Sequence, residues 1–300
     1  MLTKSYAEII ECIKPDMDNF DCSLRETVKK YENEMTGDLE SFLSQGSKRL
    51  RIVLIFLVTR ALGCDVGENQ LMLADGIELM HNASLLHDDV VDNATVRRKK
   101  KSFNAVYDNT ISIIGGDYLL SLALENFMNI NEPKILNMFL KTLKTLCEGE
   151  IHQYFHKNCI STIEKYIEKS YEKTAILYEF AVLSAALLAD KNADFSQFIK
   201  NYGIAFQIRD DYNNIYKSET STDIEEGVFT APVIYAAKDY EGIEDFEPKK
   251  IFEIVKDKKY EQMTKALLKK YIDKALESLS FLQESEYKTA LIELCGFLEV

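Results

Sequence analysis

Two aspartate clusters, each set in an apolar stretch, limit what this chain can fold into. The first reads Leu85-Leu86-His87-Asp88-Asp89-Val90-Val91-Asp92, and the second Ala205-Phe206-Gln207-Ile208-Arg209-Asp210-Asp211-Tyr212-Asn213-Asn214. Carboxylates are costly to bury among apolar neighbours unless they are paired, hydrogen-bonded or hold a cation. In a helix Asp88 and Asp92 stand at i and i+4 on one face, where like charges repel by roughly 0.2–0.5 kcal/mol. Hard oxygen ligands with few dedicated protein contacts suit Mg²⁺, which also takes phosphate oxygens from a substrate. The two clusters therefore point to a metal–diphosphate site between two helices.

Apolar residues recur at helical spacing through 3–33, 38–62, 68–93, 111–129, 134–156, 161–189, 193–216, 230–238, 249–256, 260–282 and 286–298. Residues 217–229 are polar and read as a loop, and Pro232 suits the first turn of the helix after it. With 12 Gly, 4 Pro and 46% hydrophobic residues in 300, the chain has few helix breakers and ample material for a core. There is no strand-like alternation of useful length, no internal repeat and no low-complexity linker. The expected fold is all-α, in a single domain over residues 1–300.

The net charge of −13 argues against general binding of nucleic acid or anionic membrane. An anionic substrate must then be held by metal or by local cations, of which Lys48, Arg49 and Arg51 form one group and Arg97 to Lys101 another. The cysteines at 12, 22, 64, 147, 159 and 295 have no CxxC or zinc spacing and read as reduced thiols of a cytoplasmic protein. The longest apolar run, Ala175 to Ala189, contains Glu179 and Ser184 and is short of the ~20 residues of a membrane span. The N-terminus lacks the apolar core of a signal peptide.

His81, Ser84, Asp88 and Asp92 fall within about 80° of one another on a helix. An ordinary solvated face would mix in Lys, Glu and Gln. Gln207, Asp210, Asp211 and Asn214 repeat the arrangement, and facing helices can bring such stripes to one cavity. Lys48 and Arg51 share a face at i,i+3, where an Arg fork and a Lys point charge suit phosphate oxygens. The run from Arg97 follows the first cluster closely enough to meet the same diphosphate.

With these residues in place the chain resembles the trans-isoprenyl diphosphate synthases, or polyprenyl synthetases. The matching segments, in order, are Gly46 to Arg51, His81 to Arg98, Gly116 to Leu120, Gly149 to Gln153, Lys173 to Ala175, Gly203 to Asp211 and Asp223 to Gly227. The resemblance implies an antiparallel helical bundle around a deep central cavity, usually homodimeric, with a hetero-oligomer as a variant. It implies that Asp88, Asp89 and Asp92 form the first aspartate-rich motif and that Asp210 and Asp211 begin the second. Asp88, Asp92 and Asp210 are the implied ligands, for about three Mg²⁺ per site with substrate bound. Lys48, Arg51, His81 and Arg98 match positions that bind isopentenyl diphosphate. Arg97, Lys173 and Gln207 match contacts to the allylic diphosphate, and Thr174 matches a hydroxyl near the reacting carbons.

The implied chemistry is sound for these residue types. An allylic C–O bond breaks when the leaving diphosphate is neutralised by metal and cationic side chains. An apolar cavity keeps water from the carbocation until isopentenyl diphosphate attacks.

Several positions depart from the family pattern. Asn214 ends the second motif where aspartate is usual, although its amide oxygen can still coordinate. Glu219 and Val228 stand where the family usually has lysines; Lys217 lies near the first, and nothing evident replaces the second. Ser47, Ile52, Lys99 and Lys101 replace glycine or proline. Ala83 and Ser84 are small where a bulky residue would stop chain growth, so the expected product is long, roughly C30 or more, each added CH₂ burying ~0.8 kcal/mol. Phe127 or Leu124 is the expected floor. The alternatives are a geranylgeranyl diphosphate synthase, a class I terpene synthase, and a weakly active regulatory partner of a prenyl synthase.

Overall fold

The structure, a computed structural model, describes residues 5–44, 48–98, 100–189 and 193–300. It is all-α, as expected. In chain order the helices are α1 (Tyr6–Ile9), α2 (Lys14–Lys29), α3 (Thr36–Leu43), α4 (Leu50–Ala61), α5 (Glu68–Val91), α6 (Phe103–Val106), α7 (Asn109–Asn129), α8 (Pro133–Phe155), α9 (Ile163–Ser170) and α10 (Ile176–Leu188). They continue with α11 (Ser196–Tyr216), α12 (Thr222–Glu225), α13 (Ala231–Ala236), α14 (Pro248–Val255), α15 (Lys258–Glu277) and α16 (Glu286–Gly296). Among the described residues the β structure is one antiparallel ladder, pairing Val96 with Lys101 and Arg97 with Lys100.

The chain groups into two compact units, each discontinuous in sequence. The first comprises residues 10–138 and 181–193. Within it α4 is apolar on every side, Ile52 to Val58 being wholly buried, as an interior helix must be. Helix α5, with Leu73, Ile77, Met80 and Leu86 buried, packs along α7, where Leu119, Leu122, Ala123 and Phe127 are buried. Gly76 makes that approach possible: a Cβ there would stand 2.7 Å from Phe127 Cζ, well inside van der Waals contact.

The second unit comprises residues 1–9, 139–180 and 194–300. Here α11 packs on α15 and on a five-residue π turn, Tyr171–Ala175. Gly203 lies so close to that turn that a Cβ would stand 2.6 Å from the Ala175 Cα. Ile215, Ile224, Phe229, Val233, Ile251 and Tyr260 form a core that anchors both ends of the expected 217–229 loop. That loop contains the single turn α12, whose N-terminus is capped by the Ser221 hydroxyl.

Three expected helices are broken. The 3–33 segment contains a 3₁₀ turn at Glu11–Ile13, and Pro15 occupies the first turn of α2, where its missing N–H does no harm. The 38–62 segment divides into α3 and α4, and Arg49, just before α4, has φ 49° in the left-handed region. The expected motif positions Gly46 and Ser47, and Lys99 of the basic run, lie outside the described residues. The 161–189 segment is interrupted by the π turn.

Candidate active site

In the first unit α5 carries the first aspartate cluster on its last two turns. Asp89 is wholly buried, and its Oδ1 accepts from Arg97 Nε at 2.9 Å and Nη2 at 2.6 Å. The Asn104 amide donates to the Asp89 carbonyl at 3.1 Å. Arg97, expected on the allylic diphosphate, therefore braces the cluster. Asp88 is half-buried, and Asp92, the C-cap of α5, is exposed. His87 fits against Gly116, with its Nε2 3.2 Å from the Ile113 carbonyl and 3.3 Å from Asp117, which accounts for the Gly116-Asp117 pair.

His81 lies two turns before Asp88 on the same helix. Its burial, and then Arg51, Arg98 and Arg97, hold its pKa well below the ordinary value, so the imidazole is neutral at pH 7. A neutral ring offers one N–H donor and one acceptor without adding repulsion to its arginine neighbours. Arg98 is partly buried, with φ 50°. Glu78, one turn before His81, escaped the sequence reading. It is 1% exposed and accepts from Asn82 Nδ2 at 3.1 Å. Burial raises its pKa, while Arg49, the Asn82 bond, Arg51 and Arg98 oppose the rise; it is the carboxyl that stands among the arginine group. Its i,i+3 spacing to His81 was the signal that could have found it.

Arg49 pairs with Asp21 and lies 5.0 Å over the Phe20 ring, while Lys48 is exposed. Ala83 is buried, and the Ser84 hydroxyl turns back to donate to the His81 carbonyl at 2.8 Å.

In the second unit the π turn carries Lys173 and Thr174; π turns within helices are often found at functional sites. Lys173 lies 2.7 Å from Glu150 Oε1, and Gly149 gives it room, since a Cβ there would stand 3.1 Å from Lys173 Cγ. Thr174 donates to Gln207 Oε1, Gln207 Nε2 donates to Asp211 Oδ1 at 2.7 Å, and Tyr166 donates to Asp211 Oδ2 at 2.6 Å. Gln207 thus spends both ends of its amide on orienting Thr174 and Asp211, where the sequence had suggested a substrate contact. Tyr166 was missed, because an isolated tyrosine on an amphipathic helix reads as packing.

Asp211 is 5% exposed, and burial raises its pKa. Burial, and then the Asp211 charge, push Asp223 up to about 7. Asp210 is exposed. Asn214 is used internally: its Nδ2 donates to Thr222 Oγ1 at 2.9 Å and its Oδ1 accepts from Ser221. Lys217 and Glu219 are exposed.

Among the described residues, no group of three or more His, Cys, Asp or Glu side chains is placed to hold a metal by itself. The carboxylate oxygens of Asp88 and Asp92 in the first unit, and separately of Asp210 in the second, nevertheless suit Mg²⁺, which commonly takes one or two carboxylates and completes its shell with phosphate and water oxygens. No helix among the described residues is long and apolar enough to cross a membrane.

The sequence pattern of the polyprenyl synthetase family matches residues 32–271. A prenyl transferase of Cyanidium caldarium is 31% identical over 97% of each chain. An octaprenyl diphosphate synthase of Haemophilus influenzae is 30% identical over 97% of this chain and 95% of its own. The solved structure of a Caulobacter crescentus polyprenyl synthase, complexed with calcium and isoprenyl diphosphate, superposes with a TM-score of 0.89 at 25% identity, covering 99% of this chain and 98% of that one.

Proposed function

This chain belongs to the polyprenyl synthetase family, and we propose that it is a Mg²⁺-dependent prenyltransferase that adds isopentenyl diphosphate to an allylic diphosphate, building a long trans-polyprenyl diphosphate. The observation that carries this reading is the grouping of Arg51, Arg98 and a neutral His81 in the unit that also carries Asp88 and Asp92. A class I terpene synthase ionises one diphosphate and has no use for a second anion pocket. An elongating enzyme must hold two.

Arg51 and Arg98 offer forked donors to the diphosphate of isopentenyl diphosphate, and Lys48 adds a charge from the exposed edge. His81 adds an N–H. Arg97 keeps Asp89 in place, so that Asp88 and Asp92 keep their spacing. Bound Mg²⁺, held by Asp88 and Asp92 in the first unit and by Asp210 in the second, would supply the charge that neutralises the departing diphosphate. Lys173 approaches the allylic diphosphate as it shares or leaves Glu150, and Gln207 aims the Thr174 hydroxyl. No protein base is required for the final proton, which the released diphosphate can accept.

The small side chains of Ala83 and Ser84 leave the turn before Asp88 open to a growing tail. Phe127 is the proposed floor. It packs on Gly76, twelve residues before Asp88, which is ~18 Å along a helix rising 1.5 Å per residue, the length of about four extended isoprene units, so a longer tail has to bend before it or pass it; Leu124 is partly exposed. The name of the octaprenyl relative favours a product beyond geranylgeranyl. We propose further that both units belong to one catalytic domain, and that the protein is a cytoplasmic homodimer. The exposed Ile113, Ile114 and Met128 on α7 support the dimer, and six free thiols support a reducing compartment.

One observation favours a second reading. Glu219 and Val228 lack the cations usual in the family, which would suit a weakly active partner subunit. These readings, and the terpene synthase alternative, separate when farnesyl diphosphate and Mg²⁺ are supplied with and without isopentenyl diphosphate. Products that require isopentenyl diphosphate support elongation. A cyclic product from farnesyl diphosphate alone makes it a terpene synthase. Turnover only on mixing with an active homologue makes it a partner subunit.

A further inference from the structure

The second unit contains a cation that the account so far leaves unused. Lys169 is in the last turn of α9, four residues before Lys173. It is largely withdrawn from water, which lowers its pKa, while Asp211, Asp223 and Glu150 act on it as nearby anions and Lys173 as a nearby cation. It also lines a cavity of about 460 Å³ together with Lys165, His152, His156, Gly227 and Val228. The wall carrying Val228 is fixed in position. Gly227 has φ 72°, its carbonyl accepts from the Asn158 N–H at 2.8 Å, and a Cβ on it would run into the Asn158 side chain. The position where the sequence lacks a lysine, and a mostly buried lysine from α9, thus border the same space.

A withdrawn ammonium is unfavourable unless an anion completes it. Two of its three carboxylate neighbours already have other partners: Asp211 accepts from Tyr166 and Gln207, and Glu150 holds Lys173; the third, Asp223, whose pKa burial and Asp211 push up to about 7, offers only part of a charge. We propose that Lys169 contacts the diphosphate bound at the second aspartate cluster, standing in for the lysine that Val228 does not provide. The identity of that anion as an allylic diphosphate rests on the prenyltransferase reading. The lysine's role as a diphosphate ligand does not.

The test is calorimetric titration of the full chain with inorganic diphosphate in Mg²⁺ buffer, which needs no turnover. Lys169→Met should weaken binding about tenfold, the scale of one charge-assisted hydrogen bond. Lys169→Arg should keep most of the affinity, and Lys169→Met/Val228→Lys should recover it. Melting curves identify any variant that fails to fold, and in that event the Arg variant and Val228→Lys alone, which should tighten binding, decide the matter. Native affinity in a folded Lys169→Met, or no recovery on adding Val228→Lys, overturns the proposal. If the binding pattern holds but no prenyl transfer is found, the function reading fails and the assignment of Lys169 stands. If transfer is found, Lys169→Met should raise KM for the allylic diphosphate and leave KM for isopentenyl diphosphate unchanged.

Discussion

In the first aspartate cluster the middle carboxylate, Asp89, is buried and takes two N–H bonds from the Arg97 guanidinium. In the second its counterpart, Asp211, is buried as well, but takes its bonds from a tyrosine hydroxyl and a glutamine amide. In both, the middle residue is buried and the aspartate before it, Asp88 or Asp210, is less so. Each DD pair thus has one carboxylate held within the fold and, on the proposed function, one that meets metal. The difference lies in how the buried one is held. A cation compensates a buried charge directly, whereas neutral donors compensate it in part, and burial then raises the pKa of Asp211 and, with it, that of Asp223.

The largest effect should come from removing the cation. Arg97→Leu leaves Asp89 buried without its partner and should lower stability by about 3–5 kcal/mol, measured by denaturant unfolding. A loss below about 1 kcal/mol, the range of exposed pairs, would mean that Arg97 does not brace the cluster.

Asp75 is a control within the first unit itself, because it too is held by neutral groups. Its Oδ2 accepts from Ser23 at 2.6 Å and Thr27 at 3.0 Å. Burial pushes its pKa up to about 7; Glu26 adds to the rise, and the two hydroxyls and Arg49 oppose it. The folded protein therefore keeps this proton where the unfolded chain has lost it. The stability this contributes is fully present below about pH 4 and falls as pH rises towards 7. Asp75→Asn should remove the slope and be the more stable protein at pH 8, by about 2 kcal/mol. Equal pH dependence of the two melting curves would contradict the comparison.

Gly203→Ala forces a methyl into Ala175 and should lower stability by about 1–3 kcal/mol. It should also reduce turnover more than melting temperature suggests, because the π turn it displaces carries Lys173 and Thr174. Stability loss alone, with native kcat, would detach the turn from the chemistry. The smallest effect is expected from Tyr166→Phe, about 1–2 kcal/mol for one lost hydrogen bond to a buried acceptor. A loss as large as that of Arg97→Leu would erase the distinction between the two braces.

Much of this was legible in the sequence because the ordered motifs are also neighbours in space. Within the second unit the Gly149, Lys173 and Gly203 segments meet, since each glycine abuts the π turn; within the first, the Arg51, His81 and Arg98 segments meet. Helical periodicity and the two polar stripes followed from residue order alone. The π turn did not, because its extra residue is accommodated by α11 packing against it and not by any local signal. Glu78, Tyr166 and Lys169 were hidden for a related reason. Each is an ordinary residue type for a helix, and only burial distinguishes it. Arg97 and Gln207 were recognised as site residues and assigned outward, whereas their bonds run inward to the aspartates.

The most direct measurement is incubation of the purified protein with Mg²⁺, labelled isopentenyl diphosphate and farnesyl diphosphate, with products sized by chromatography beside Asp88→Ala. The account predicts a ladder ending at one defined long chain, absent from the variant. No incorporation of label by a folded wild-type protein would contradict it.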